Sequence, residues 1–174
     1  SLLEVGVVPV GIETYANSRR LEKSFRLQGA DLETEYTAIE AAIQRPLVKE
    51  ADFHGKAAHL SHREEDPCAI LCTMTLDDLN VSGKTRYPVG ISPIIDPATG
   101  EVPIDSKGRR SYTTGMSYCP SLKKFVVMGY LPKEIAIQGK SLLIEYFNED
   151  GDGLYPMTVQ IVGKAVSYTH LTLP

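Results

Sequence analysis

Ala69-Ile70-Leu71-Cys72-Thr73-Met74-Thr75-Leu76 decides how this chain is built. On an extended backbone, successive side chains point to opposite faces, so Cys68, Ile70, Cys72, Met74 and Leu76 share one side. That alternation predicts a strand with one face turned into a core. Pro67 marks the change of pattern: residues 1–64 read as mainly helical and residues 68–163 as mainly strand.

Downstream of this stretch, Tyr87–Ile91, Arg110–Thr114, Phe125–Leu131, Ser141–Phe147 and Tyr155–Val162 also read as strands. Turn signals separate several of them: Pro97-Ala98-Thr99-Gly100, Ser106-Lys107-Gly108, and the run from Asn148 to Gly153. Six short strands at this spacing predict a small antiparallel barrel or sandwich.

Upstream, Thr37-Ala38-Ile39-Glu40 has capping-box spacing: the Thr hydroxyl accepts an orphan backbone N–H and the Glu reaches back. Ile39, Ala42 and Ile43 then share a helical face, and Pro46 limits the helix. A further helix is expected from about Asp52 to Glu65. Between Ile12 and Phe25 the apolar residues point two ways, Ile12, Tyr15 and Ala16 against Leu21 and Phe25. That segment is either packed on two sides or broken near Ser18. The fold class is therefore α+β, helical segments followed by a small antiparallel barrel or sandwich.

The composition allows a buried core: 174 residues, 43% hydrophobic, with no Trp. A net charge of −4 gives no support for a nucleic-acid surface, and no apolar run reaches membrane-spanning length. Ser1 is followed by no basic and apolar leader pattern, so no secretory signal is expected. Three cysteines, Cys68, Cys72 and Cys119, form no disulfide framework and point to a reducing compartment. Localisation is read as cytoplasmic, or the mitochondrial matrix in a eukaryote.

Several motifs are better explained without chemistry. Ser82-Gly83-Lys84-Thr85 ends like a phosphate loop, but Asp78 stands where an early glycine is needed. His59 and His62 share a helix face near His54, yet no further ligands complete a metal site. Asn148 to Gly153 lacks the closing glutamate of a calcium loop and reads as a hairpin turn. Lys107, Arg109, Arg110, Lys123 and Lys124, flanked by Tyr112 and Tyr118, could meet nucleic acid or a polyglutamate tail, but solvation is the simpler reading. Neither Gly-x-Ser-x-Gly nor the dinucleotide fingerprint Gly-x-Gly-x-x-Gly is present. No residue is assigned a catalytic role.

Four signals in fixed order then carry a resemblance. They are Ser18-Arg19-Arg20-Leu21-Glu22-Lys23-Ser24, Gly29-Ala30-Asp31-Leu32, Thr37-Ala38-Ile39-Glu40-Ala41-Ala42-Ile43, and Asp52-Phe53-His54-Gly55-Lys56-Ala57-Ala58. Pro120-Ser121-Leu122-Lys123-Lys124 and Val127-Met128-Gly129-Tyr130-Leu131-Pro132 follow. Over residues 5–163 the chain resembles the folate-binding T-protein (aminomethyltransferase) superfamily. Arg45-Pro46-Leu47-Val48-Lys49 and Leu71 to Asp78 look most like the copy fused to FAD-dependent dimethylglycine and sarcosine dehydrogenases.

The resemblance implies residues 1–64 as the end of a folate-binding domain and residues 65–165 as the C-terminal barrel. Residues 166–174 resemble one frame of a sequencing adapter and are set apart. It implies tetrahydrofolate as cofactor, an N-methyl amine as substrate, and FAD in an upstream domain of a longer polypeptide. Folate-binding residues would be Arg20 and Arg45. The implied function is the one-carbon-transfer part of such a dehydrogenase, inactive alone. The alternatives are a piece of a stand-alone glycine-cleavage aminomethyltransferase, or a non-catalytic folate-binding or interaction module. Three departures bear on the site. Ala16 stands where glycine-cleavage members carry a folate-contacting Arg. Arg45 replaces a common aromatic. Ala42 replaces a motif glycine. The family's acidic residues for the pterin would lie upstream of Ser1.

Overall fold

A computed structural model describes residues 2–44, 47–76, 91–148 and 151–163. Its helical part is small. A π-helical turn, Thr14–Arg19, runs directly into α1, Arg20–Glu22, and α2 spans Lys56–Glu64. The strands are β1 Ala69–Leu76, β2 Ile94–Ile95, β3 Thr113–Cys119, β4 Lys124–Pro132, β5 Ser141–Asn148 and β6 Gly151–Val162. They form one six-stranded sheet in the order β2-β5-β6-β1-β4-β3, with every pairing antiparallel. The sheet curls until its edges meet. Ile91 N–H donates to the Thr113 carbonyl at 2.7 Å, Thr113 N–H to Ser92 at 2.9 Å, and Ile94 N–H to Ser111 at 3.2 Å. The α+β class and the antiparallel barrel architecture are as the sequence predicts.

Alternation along β1 and β4 sorts the core into two layers. Cys72, Met74 and Leu76 of β1 and Phe125, Val127 and Leu131 of β4 point into the barrel, where they meet Ile94, Leu142, Ile144, Met157 and Val159. Ala69 and Leu71 of β1, with Val126, Met128 and Tyr130 of β4, face outward and pack on Leu21 and Ala41. The sheet is thus apolar on both faces at its centre, as it must be when a second layer covers it. Gly129 is required where the strands cross closely, because a Cβ there would lie 2.7 Å from the Tyr112 carbonyl oxygen.

The sequence places β1 residue for residue, and β4, β5 and β6 within a few residues of their observed ends. Arg110–Thr114 is displaced: the strand begins at Thr113 and continues to Cys119. The Pro97–Gly100 and Ser106–Gly108 turns form, with Gly100 at φ 73° and Gly108 at φ 82°. Tyr87–Ile91 (save Ile91), Ser82–Thr85, Arg45 and residues 166–174 lie outside the described residues.

The helix expected after Thr37 is only a turn. Its capping box is intact: Thr37 N–H donates to Glu40 Oε2 at 2.9 Å and Glu40 N–H to Thr37 Oγ1 at 3.2 Å. Ala42 then takes a left-handed φ of 53° and ends it. Ser24, after α1, does the same at φ 53°. Between Ile12 and Phe25 the chain neither breaks nor packs on two sides. The π turn carries the backbone past Ser18, and burial falls on the Leu21 side while Ile12 and Tyr15 remain exposed.

Candidate functional site

Arg20 leaves the end of the π turn and buries its guanidinium between the helical segment and the barrel. It donates to Asp31 Oδ2 at 2.5 Å and to the carbonyls of Ala16 at 2.5 Å and Phe25 at 3.1 Å. Asp31 also accepts Leu27 N–H at 2.8 Å and the Thr114 hydroxyl. Its carbonyl takes the Tyr130 hydroxyl at 2.7 Å. A Cβ at Gly115 would lie 2.6 Å from Arg20 Nη2, so the glycine makes room for the guanidinium. Arg20 therefore ties the Ser18 motif, the Gly29-Ala30-Asp31-Leu32 motif and β3 into one polar knot.

One edge of that knot opens into a cavity of about 410 Å³ lined by Tyr15, Ala16, Arg19, Arg20, Lys23, Phe25, Arg26 and Leu27. Its cations are not equally committed. Arg19 is shared with Glu22 at 2.9 Å and Ser121 at 2.6 Å. Among the described residues, the Arg26 guanidinium donates to the backbone carbonyls of Ala41 and Ser24. Burial lowers its pKa from the ordinary arginine value, against the opposing pull of Tyr130 and Asp31. Among the described residues no carboxylate is ion-paired with Lys23 or Arg26. The arrangement offers charge to an anion and flat apolar surface from Tyr15 and Phe25 to an aromatic group. Arg19, Lys23 and Arg26 do not share a helix, because α1 ends at Glu22 and Ser24 is left-handed, so no helical spacing in the sequence marks Lys23 and Arg26 for this cavity.

A second cavity, of about 430 Å³, lies beside the capping-box turn and is lined by Ala38, Ile43, Gln44, Leu47, Val48, Lys49, Phe53 and His59. Arg45 is flanked in sequence by its lining residues. His59 belongs to this wall, and no group of three metal-binding side chains occurs among the described residues.

The basic run around Arg109 does not form a surface cluster. Arg109 turns inward to Glu40 and, at 2.7 Å, to Asp105, and it donates to the Glu35 carbonyl at 2.6 Å. Its guanidinium carbon sits 4.3 Å from the centre of the Tyr36 ring. That ring stacks in parallel on Tyr130 with centroids 3.5 Å apart. Burial alone would raise the Glu40 pKa, but the Arg109 and Thr37 hydrogen bonds and the Arg109 charge outweigh it and hold it below the ordinary value. Burial likewise works against charge on Arg109, and Glu40 and Asp105 overcome it, raising its pKa. Lys124 pairs with Cys119 at one end of the β3–β4 ladder and Gly129 with Thr113 at the other, so Lys123 and Lys124 are remote from Arg109. Asp105, four residues before Arg109, is a local sign of one partner, but the sequence carries none of the other, because Glu40 is 69 residues away.

Cys72 and Cys119 are buried, and burial pushes each thiol up to about 12, as expected for packing rather than reactive cysteines.

No family model matches the chain. It is 29% identical over 153 residues to the aminomethyltransferase of Francisella philomiragia, covering 83% of this chain and 38% of that protein. It is also 29% identical over 150 residues to the aminomethyltransferase of Koribacter versatilis, covering 84% of this chain and 35% of that one. The crystal structure of glycine cleavage system aminomethyltransferase T from Bartonella henselae superposes with a TM-score of 0.63 at 21% identity, over 87% of this chain and 38% of that one. The chain thus spans well under half the length of the relatives it matches. The chain is thus similar in sequence to aminomethyltransferases over most of its length, and it shares the fold of the matched part of the Bartonella henselae structure.

Proposed function

We propose that this chain is one wall of a tetrahydrofolate site in a one-carbon-transfer enzyme, joined to the barrel that caps it. The observation that carries the reading is the cavity at the Ser18 motif, whose lining includes Arg19, Lys23 and Arg26 together with Tyr15 and Phe25. A reduced folate has an aromatic body and an anionic glutamate end, and this lining suits both. Arg20 would contribute from the cavity wall while held by Asp31, and Arg45 is the further folate residue that the resemblance implies. When bound, tetrahydrofolate supplies the nitrogen that accepts a one-carbon unit; these residues bind and orient it.

Within that reading, we favour the C-terminal part of an FAD-dependent N-methyl-amine dehydrogenase of dimethylglycine or sarcosine type. The spelling Arg45-Pro46-Leu47-Val48-Lys49 supports it. This chain holds no Gly-x-Gly-x-x-Gly motif, so FAD would be held by another part of the polypeptide. A stand-alone aminomethyltransferase fits the relatives' names equally well. The division into residues 1–64 and 65–165 then separates site wall from cap, with 166–174 outside both. A cytoplasmic or matrix location belongs to the same reading; no helix among the described residues is long and apolar enough to cross a membrane.

Calorimetric titration with tetrahydrofolate tests it, on the chain and on the chain joined to its genomic upstream sequence. Saturable binding is expected, weakened about tenfold or more by Arg45→Ala and by Lys23→Ala with unchanged melting. Absence of binding in both forms would sink the reading. Turnover of dimethylglycine or sarcosine by the longer form separates a dehydrogenase from a stand-alone transferase.

A further inference from the structure

The turn over residues 37–42 is clamped from the barrel. Arg109 pairs with the Glu40 carboxylate inside the turn and donates to the Glu35 carbonyl ahead of it at 2.6 Å. Asp105 holds the same guanidinium at 2.7 Å. Arg109 is 9% exposed and Glu40 2%, so water competes little for the pair. Within the turn, Ala42 N–H donates to the Ile39 carbonyl at 2.9 Å. The Ala41 carbonyl belongs to the same planar peptide as that N–H, so its direction is fixed too.

That carbonyl accepts Arg26 Nε–H at 2.9 Å, and the Ser24 carbonyl accepts Nη1–H at 2.5 Å. A guanidinium is planar, so two bonds to fixed backbone set its plane. Its Nη2 makes no hydrogen bond among the described residues. Nor is that nitrogen sealed in: Ser111 Oγ is the one enclosed side-chain polar atom without a partner among the described residues. The other cations lining the cavity differ. Arg19 and Arg20 are paired with Glu22 and Asp31, and Lys23 carries a flexible ammonium with no plane to set. A carboxylate is held best by a guanidinium that is already oriented and still has N–H groups to give. Of the four cations in this lining, Arg26 meets both conditions.

We infer that Arg26 receives a carboxylate of the cavity's ligand, and that Arg109, on the barrel, is its positioning residue, acting through Glu40 and the turn over residues 37–42. That the ligand is a folate rests on the reading above; the link from Arg109 to Arg26 does not. Leu71 N–H also donates to the Glu40 carbonyl at 2.9 Å, so the turn keeps its attachment to β1 when Arg109 is shortened.

The test follows the Arg26 Nε–H signal in proton–nitrogen NMR spectra of the full chain, assigned by its loss in Arg26→Gln. In the parent this proton should exchange slowly with water. Arg109→Lys keeps the charge but loses the fork, and should speed that exchange about tenfold or more. If Arg109→Lys does not fold, Glu40→Gln takes its place, since glutamine keeps the Thr37 cap and weakens the Arg109 pair; the same acceleration is expected. Unchanged exchange in the folded variant overturns the proposal. Glutarate, a dicarboxylate with no ring, probes the carboxylate seat: a saturable shift of the Arg26 signal is expected, and no shift overturns that assignment. In calorimetry with tetrahydrofolate, Arg26→Gln should weaken binding about tenfold or more. Arg109→Lys should weaken it about threefold or more in the parent and not at all in the Arg26→Gln background. Equal losses in both backgrounds mean that Arg109 reaches the ligand by another route, and overturn the proposal. Slow exchange and a glutarate shift without tetrahydrofolate binding defeat the folate reading and keep the Arg109–Arg26 link; tetrahydrofolate binding indifferent to Arg26→Gln does the reverse.

Discussion

Replacing Asp31 by Ala should come close to unfolding the protein. The Asp31 side chain is fully buried and accepts from Arg20, Leu27 N–H and Thr114, while Arg20 is itself only 8% exposed. Removing the carboxylate leaves a buried guanidinium with no counter-charge, a change that costs about 3–5 kcal/mol. Set against a typical total of about 5–15 kcal/mol, that is a large fraction of stability. Arg20→Met should cost about 3 kcal/mol, since Asp31 then keeps two of its three donors but loses its cation. The double variant removes both charges together, and methionine refills much of the arginine stem's volume. It should be less destabilised than the sum of the singles by about 2 kcal/mol or more, the coupling expected of contacting residues in one network. Urea unfolding followed by far-UV circular dichroism, with slopes compared between variants, measures all four corners of the cycle. Additive losses, or an Asp31→Ala cost under about 1 kcal/mol, would mean that the pair is not what pins the Ser18 motif to β3.

Ala42 sits at φ 53°, a left-handed backbone that disfavours a Cβ, so Ala42→Gly should stabilise by roughly 0.5–1 kcal/mol, read as a rise in melting temperature. Gly115→Ala should destabilise, because the guanidinium that would have to move is held by three partners; the same substitution in an Arg20→Met background should be close to neutral. Glu40 has a folded pKa below its ordinary 4.5, so its contribution is fully present above that pH and is lost as pH falls through the folded value. Acid unfolding curves of Glu40→Gln should therefore be flatter below about pH 4.5 than those of the parent. Iodoacetamide at pH 8 should label Cys68, which is half-buried, well before Cys72 and Cys119, whose thiols are pushed up to about 12; mass spectrometry of peptides reads the order.

The strands were legible because their information is local. Ile70, Cys72, Met74 and Leu76 announce a face two residues apart, and the observed β1 has the predicted ends. The turn at Gly108 was legible for the same reason. The helix after Thr37 was misjudged in length because the capping box was read correctly but Ala42 gives no sign of a left-handed backbone; a glycine would have. The π turn at Thr14–Arg19 shifts the helical register, which is why Ile12 and Leu21 pointed two ways on an ideal α-helix. Arg20 was named as a folate residue from its motif, whereas its strongest commitment is to Asp31, and the third member, Thr114, is 83 residues from that aspartate. Pairings of that kind leave no spacing to read. The cationic cavity was not legible: α1 ends at Glu22, and Arg26 joins Arg19, Tyr15 and Phe25 in the cavity wall only after the left-handed turn at Ser24.

Closure of the sheet has a consequence for how this chain can associate. Open sheets aggregate by adding strands at an edge, where unpaired backbone groups act as a template. Here the outer strands β2 and β3 spend those groups on one another through Ile91, Ser92, Ile94, Ser111 and Thr113. Among the described residues, the sheet therefore offers little purchase for backbone-templated growth. Clumping of the isolated chain should instead proceed through side chains at its amino-terminal end, and should yield to mild detergent or to polar substitutions there rather than seed fibrils.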